Sequence, residues 1–458
     1  MELSPAVLIL DLPPSALAGI DLLSFTVTPR FRGVKDLPPG LHFIFTGSST
    51  AFSIRHGLWI RIARPSSGTQ QLIITRWDPA TETLSLEQDP AENLRWRANI
   101  GEVWREGLTP YRQSSTSPNA TSPSQEPSDW PTLTSHITPL LLSRITQDTP
   151  QTFWSLTSAS SASRDLDHIP GLSAAEAVLH PEKDLRFLPI DLKQTWPDGA
   201  TGRERTEAAQ DRSWALGELI TKSCGEAGVD EVVGEMQFCF LMVLTLNNWS
   251  CLEQWKRILT LLFTCRKAVV TFPDLFVRAI AALRLQLSHC KDAEGGLIDL
   301  TDEGGSLLKS LLARFRQGLE TLNALEVQDV VDELDDLEAY LKDEYSWQFG
   351  GTFAKSGVLE LEDGEQVRMD TTVYDEEDES GEYAPQMVDL TPEQMKELGI
   401  ESVGDLRAKL NGTKLHDEDL VEEVVGESKG DESGSSGGDD DDDEGEEEQD
   451  LEDMDARY

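Results

Sequence analysis

Residues 57–63 read Gly57-Leu58-Trp59-Ile60-Arg61-Ile62-Ala63. Side chains alternate across a strand, so Leu58, Ile60 and Ile62 share one face while Trp59 and Arg61 share the other. Working outward, Leu41 to Phe45 and Gln71 to Trp77 are similar short runs of branched and aromatic residues, and Thr83-Leu84-Ser85-Leu86 is a further strand. Pro38-Pro39-Gly40, Pro65-Ser66-Ser67-Gly68 and Asp78-Pro79 punctuate them. Residues Val7 to Arg112 therefore read as a compact sheet domain. Within it, Asp89 to Trp104 has the spacing of one short helix carrying Leu94, Ile100 and Trp104.

Further along, residues 114–128 are rich in Ser, Pro, Thr and Asn and read as a flexible insertion. Trp130-Pro131-Thr132-Leu133 follows, and His136 to Ile145 suits a helix. Pro150 to Gly202 reads as an extended linker with anchor points at Phe187-Leu188-Pro189-Ile190, because Ser155 to Ser163 offers little to pack. From Arg203 the period changes to that of helices. Trp214, Leu216, Leu219 and Ile220 recur at helical spacing, and Val232–Leu246, Leu252–Cys265, Leu275–Leu287, Leu307–Leu322 and Val330–Leu341 follow. Gly225, Asn247-Asn248, Pro273 and Gly304-Gly305 mark the stops. Several of these helices are apolar on most sides, so some are central in a bundle. The expected architecture is α+β and multidomain: a β-rich N-terminal domain (1–148), a linker (149–202), an all-α domain (203–347) and a disordered acidic C-terminal tail (348–458).

The chain has 458 residues and a formal charge of −44. Residues 351–458 hold 37 Asp/Glu against 8 Lys/Arg, whereas residues 1–350 hold 46 against 31. A mildly acidic body thus carries a strongly acidic tail. Direct binding to nucleic acid or to an anionic membrane is disfavoured, because both need cationic surface; a basic protein partner is not. The apolar run Ala6 to Leu10 lacks a basic flank and stops at Asp11, so no signal peptide is expected. Met236 to Leu252 is too polar to span a membrane. A soluble, unsecreted protein is expected, and the glycosylation-type triplets at Asn119, Asn248 and Asn411 then carry no meaning.

Cys224, Cys239, Cys251, Cys265 and Cys290 all fall in the helix-patterned region, without a CxxC spacing. They read as buried thiols in a reducing compartment, and the scattered histidines argue against zinc. No phosphate-cradling glycine loop, HExxH or GxSxG occurs. Cys290 beside His289 is the only local nucleophile pair, and helix neighbours point apart. No catalytic residue, cofactor or metal is expected. A thiol hydrolase, using a Cys–His pair assembled by folding, is the enzymatic alternative.

Within the tail, Val358-Leu359-Glu360-Leu361 and Tyr383-Ala384-Pro385-Gln386-Met387-Val388-Asp389-Leu390 are extended islands, and Thr391-Pro392-Glu393-Gln394 opens a short helix. Such an island either adds a strand to a partner's sheet edge, or folds back on its own sheet or stays disordered. Val358, Leu359, Leu361, Met387, Val388 and Leu390 are the candidate partner-binding residues. The run Asp439 to Glu448 is either a solubility tail or a mask for a basic surface.

Gly19-Ile20-Asp21, Phe25, Pro29-Arg30-Phe31-Arg32-Gly33-Val34-Lys35 and Pro38-Pro39-Gly40-Leu41-His42-Phe43 together resemble the amino-terminal signature of the A1-cistron splicing factors, the AAR-two family. Arg76-Trp77-Asp78-Pro79, Trp130 to Thr138, then Thr206, Asp211 and Ser213, Glu235-Met236-Gln237-Phe238-Cys239-Phe240 and Glu253-Gln254-Trp255-Lys256 continue the resemblance in family order. It implies a helical domain similar to a VHS module, and assembly of the U5 small nuclear ribonucleoprotein. It also implies a partner, the spliceosomal scaffold Prp-eight, held through its RNase H-like and endonuclease-like domains, with a carboxy-terminal strand added between them. A non-catalytic chaperone, monomeric before binding and moving between cytoplasm and nucleus, is the expectation. Ser428 and Ser436, each with an acidic residue three positions on, are candidate modification sites for its release. The other alternative is a general adaptor whose VHS-like domain binds ligands. The insertion at 114–128 and the tail beyond about Leu390 depart from the family pattern.

Overall fold

The computed structural model describes residues 4–49, 53–64, 71–111, 129–148, 153–166, 183–290, 306–345, 347, 355–360 and 366–371. The first part runs β1 (Ala6–Leu10), β2 (Leu17–Ile20), β3 (Leu23–Thr26), β4 (Gly33–Lys35), β5 (Gly40–Gly47), β6 (Arg55–Ile62), β7 (Leu72–Asp78) and β8 (Thr83–Leu86). Two short helices, α1 (Pro90–Ala98) and α2 (Ile100–Glu106), then β9 (Leu108–Pro110), α3 (Trp130–Leu133), α4 (Pro139–Thr146), β10 (Phe153–Thr157) and α5 (Ser163–Leu166) follow. The strands make two five-stranded sheets, one in the order β8-β7-β1-β4-β9 and one in the order β10-β6-β5-β2-β3. The second is antiparallel throughout, with Phe43 opposite Trp59 in the β5–β6 register. The first mixes directions, since β7 runs parallel to β1 and β9 parallel to β4, while β8–β7 and β1–β4 are antiparallel.

The alternation at residues 58–62 is built into the layers. Leu58, Ile60 and Ile62 pack with Ile44 and Ile20 against Val7, Ile9 and Val34 of the first sheet. Trp59, on the other face with Phe43 and Phe45, packs against Trp130 and Phe238. The far face of the first sheet, Leu8, Leu10 and Ile74, is covered by Ile100 with Trp96, Val103 and Trp104. A fully buried side chain of this size contributes about 1.5–3 kcal/mol, so both faces of the second sheet anchor the body.

The helical part comprises α6 (Gly202–Gln210), α7 (Ser213–Ser223), α8 (Val229–Leu246), α9 (Trp249–Phe263), α10 (Lys267–Thr271), α11 (Pro273–Ser288), α12 (Ser306–Glu320) and α13 (Ala324–Tyr345). Helix α8 is largely apolar and is buried along nearly its whole length, its Glu231, Glu235 and Gln237 included, which makes it the central helix. It ends where Asn247 adopts a left-handed conformation (φ 56°), and Asn248 at once caps α9 by accepting the Cys251 N–H at 2.9 Å. Pro273 occupies the first turn of α11, where its missing N–H costs nothing. Among the described residues no helix is long and apolar enough to cross a membrane.

Three expectations are corrected. The single helix over 89–104 is two, α1 and α2, and Leu94 is 71 % exposed, so only Ile100 and Trp104 of the named trio pack. The helix over 136–145 starts three residues later, at Pro139, because Thr138 caps it by accepting the Leu141 N–H. The linker over 149–202 contains a strand: β10 pairs with β6, and Trp154 is wholly buried. Its outer edge is closed by side chains, since Asp148 accepts the Ser155 N–H at 3.0 Å and Lys183 donates to the Ser155 carbonyl at 2.6 Å. Serine-rich sequence hid a strand whose edge is satisfied from elsewhere.

In the tail, β11 (Lys355–Glu360) and β12 (Gln366–Thr371) form an antiparallel hairpin, with Val358 opposite Arg368 and Leu359 opposite Val367. Leu361, Met387, Val388, Leu390, Ser428, Ser436 and the insertion at 114–128 lie outside the described residues.

Candidate interaction site

The motifs singled out in the sequence meet in three buried polar clusters. Gly33, at φ 141°, lets β4 run against β1, since a Cβ there would sit 2.0 Å from the Val7 carbonyl oxygen. Nearby, the Asp21 carboxylate accepts the Phe43 N–H at 2.8 Å, His42 Nδ1–H at 2.8 Å and the Tyr111 hydroxyl. His42 Nε2 lies 2.8 Å from the Pro38 carbonyl, so both ring nitrogens face acceptors. Burial alone lowers the His42 pKa; the hydrogen bond and charge of Asp21 outweigh it, and the net shift is upward. The imidazolium form is the one this cluster suits.

In the second cluster Gln237, on α8, accepts the His136 N–H at 2.9 Å and donates to the Thr132 carbonyl at 3.0 Å and to Ser135 Oγ at 3.1 Å. This fixes the Trp130 to His136 segment on the helices. The third centres on Glu235, which is fully buried. It accepts from Arg144 Nη2 at 2.6 Å, Gln254 Nε2 at 2.7 Å and the Leu188 N–H at 2.9 Å. Arg144 also bonds Glu231 and the Arg186 carbonyl. Burial raises the Glu235 pKa, and Arg144 opposes the rise. The anchor at Phe187-Leu188-Pro189-Ile190 is thus pinned by a charge. Sheet domain, connecting segment and helices are locked as one body.

Two surfaces are open to a partner. A groove of about 530 Å³ runs between the Thr132–His136 segment and helices α11 and α13. Its floor includes Ala281, Ala282 and Leu285, and Arg278 and Arg284 stand in its wall. Both arginines are already paired, with Asp230 and Glu333 respectively, so the groove has no strong charge preference. No feature of the sequence marked it, because its lining comes from four separate elements. The second surface is the β11–β12 hairpin, where candidate residues Val358 and Leu359 lie. In it each strand has one partner among the described residues, which leaves each an outer ladder edge.

The alternative nucleophile pair is not brought together. Cys290 Sγ turns to the Gln286 carbonyl, while His289 Nε2 faces Asp129 at 3.0 Å. Burial pushes the Cys290 thiol up to about 12. All five cysteines are free and buried, and among the described residues no group of His, Cys, Asp and Glu is arranged to hold a metal ion.

Comparison with known proteins gives a consistent result. The AAR2 N-terminal domain matches residues 4–147, and the AAR2 C-terminal repeat region matches residues 187–350. The chain is 26 % identical over 384 residues to the Protein AAR2 homolog of Macaca fascicularis, covering 79 % of this chain and 94 % of that one. It is 26 % identical over 367 residues to the human homolog (75 % and 89 % covered) and 22 % identical over 360 residues to that of Caenorhabditis elegans (75 % and 94 %). With two domain matches in order over well more than half its length, and the signature residues placed where they tie those domains together, the chain belongs to the AAR2 family.

Proposed function

We propose that this protein is a non-catalytic assembly chaperone in pre-mRNA splicing that clamps the U5 scaffold protein Prp-eight through its RNase H-like and endonuclease-like domains. Membership of the AAR2 family supports a splicing-related role. The body favours a clamp, because sheet domain and helices share one core and hold whatever they bind in a fixed relation. The observation that carries the reading furthest is the β11–β12 hairpin, a two-stranded sheet with outer edges at the start of the tail. An unpaired edge is a template for another protein's strand. Met387-Val388-Asp389-Leu390 is the second such island. In this reading the bound scaffold is kept from RNA and from the U5 helicase until competition or modification at Ser428 and Ser436 releases it, in a cycle between cytoplasm and nucleus.

Calorimetry of the full chain against each scaffold domain tests this. Leu359→Pro and, separately, Val388→Pro each remove an N–H from a shared ladder. At least one is expected to weaken binding tenfold or more, about 1.4 kcal/mol. Wild-type affinity in both variants would end the strand-addition mechanism. No binding of the unaltered chain to either domain would overturn the chaperone reading in favour of the adaptor.

A further inference from the structure

Beyond the groove and the hairpin, the sheet domain has a third opening. Its two five-stranded sheets end in four edge strands, β8 and β9 in the first and β10 and β3 in the second. An edge presents a row of N–H and carbonyl groups, and folded chains close such rows with side chains, prolines or bulges. Three of these edges carry such a device. On β10 the Ser155 N–H and carbonyl are met by Asp148 and Lys183. On β8 the Leu84 N–H donates to His56 Nδ1 at 3.2 Å. In β9, Pro110 has no N–H to offer. Strand β3 has none of these: Leu23-Ser24-Phe25-Thr26 contains neither charge nor proline, and among the described residues its backbone meets only β2. The register fixes which groups are left over. Asp21 donates its N–H to the Phe43 carbonyl of β5 at 2.7 Å. Alternate residues of a strand turn their hydrogen-bonding groups to opposite sides. Gly19 therefore also faces β5, whereas Ala18 and Ile20 face β3 and pair with Phe25 and Leu23. Val27 keeps the same phase, donating to the Ala16 carbonyl at 2.9 Å. Ser24 and Thr26 are thus the residues whose N–H and carbonyl groups point outward from the sheet edge, and both are exposed.

The charge beside this edge says what kind of strand fits. Phe31 packs edge-on against Phe25 with ring centroids 5.1 Å apart, which holds the segment carrying the exposed Arg30 and Arg32 beside β3. At the other end the carboxylate of Asp21 is buried and already serves His42, Tyr111 and the Phe43 N–H. We propose that the outer edge of β3 is a docking site for an extended acidic segment of another protein, which extends the second sheet by one strand with its carboxylates beside Arg30 and Arg32. Backbone bonds to Ser24 and Thr26 supply the attachment, and the half-buried Phe25 gives the incoming strand an apolar cross-strand neighbour. The two arginines select an acidic strand over a basic one, and salt weakens that preference. This inference stands apart from the scaffold-binding reading. There the tail gives a strand, whereas here the body receives one, so either can fail without the other.

The test uses the full chain and residue-resolved hydrogen exchange. In the free chain the Ser24 and Thr26 amides should exchange about tenfold faster, or more, than those of Leu23 and Phe25. A fluorescent peptide, Glu-Val-Thr-Val-Thr-Val-Glu, is then titrated in at low salt. At saturation it should slow exchange at Ser24 and Thr26 by about tenfold or more. A copy with lysine in place of glutamate should bind about tenfold more weakly. Arg30→Glu, at an exposed position, should shrink that preference while leaving thermal unfolding unchanged. Ser24→Pro removes an outward N–H without touching the β2 ladder and should weaken binding; if it does not fold, the exchange and charge results still decide. Protection of Ser24 and Thr26 in the free chain equal to that of Phe25 would overturn the proposal, because the edge is then already taken. A second copy is the occupant if that protection rises with protein concentration, and a segment of the same chain if it does not. No binding of the peptide, binding that leaves both amides unprotected, or equal affinity for the lysine copy would each overturn it as well.

Discussion

Arg144→Met tests what fastens the connecting segment to the helices. The substitution keeps the length of the aliphatic stem and removes three bonds: to Glu235 at 2.6 Å, to Glu231 at 2.8 Å and to the Arg186 carbonyl at 2.8 Å. Glu235, with no exposed surface, is left with Gln254 and the Leu188 N–H, and Arg164 beyond Gln254, but no hydrogen-bonded counter-charge. Removing one partner of a buried pair costs about 3–5 kcal/mol. The Arg144 side chain is 27 % exposed, so solvent softens the loss. The lower end, about 3 kcal/mol, is expected. In an urea titration at pH 7.5 that deficit lowers the midpoint well outside error. It should also depend on pH. Burial already holds the Glu235 pKa above its usual value, and losing Arg144 raises it further. Between the unfolded and folded pKa values the native state then binds more protons, so stability falls as pH rises and recovers as pH drops. The deficit at pH 5.5 should therefore be smaller than at pH 7.5. Adding Glu235→Gln to Arg144→Met, which keeps an acceptor for Leu188 but removes the stranded charge, should recover more than half of it. A deficit under about 1 kcal/mol, or one that neither acid nor the second substitution relieves, would refute the idea that a buried charge pins this segment.

Other outcomes follow from the same contacts. His42→Gln should destabilise by about 1.5–3 kcal/mol at pH 6, the range for a charge-assisted bond. The gap to wild type should narrow towards pH 9: the folded pKa is raised, so the contribution is full below about 6.5 and fades as pH climbs through the folded value. Gly234→Ala should cost at least about 1–3 kcal/mol in urea unfolding, because its Cβ would fall 2.3 Å from the His136 carbonyl, a backbone atom that cannot rotate away. A thiol reagent at pH 7 should label the native chain slowly, since burial pushes Cys224 and Cys290 up to about 12; rapid loss of one thiol would revive the hydrolase alternative.

The strand alternation at residues 58–62, the helical period from Trp214 onward and the Asn247-Asn248 break are local signals, and each is found where the sequence puts it. They are legible because side-chain direction repeats every two residues in a strand and every 3.6 in a helix. The order β-rich then helical follows from nothing else. What pattern does not carry is partnership. Trp59 reads simply as the other face of a strand; that the face is covered by Trp130 and Phe238 is decided by a helix 179 residues later. Ser155 reads as filler, yet β10 completes the second sheet because Asp148 and Lys183 close its edge. A glutamate in the midst of apolar α8 signals that some cation must meet it, since an unpaired buried charge is too costly. Only the fold names Arg144, 91 positions away. Local periodicity is written in neighbouring residues, whereas the partner of a buried charge or an aromatic ring is chosen by how whole layers stack.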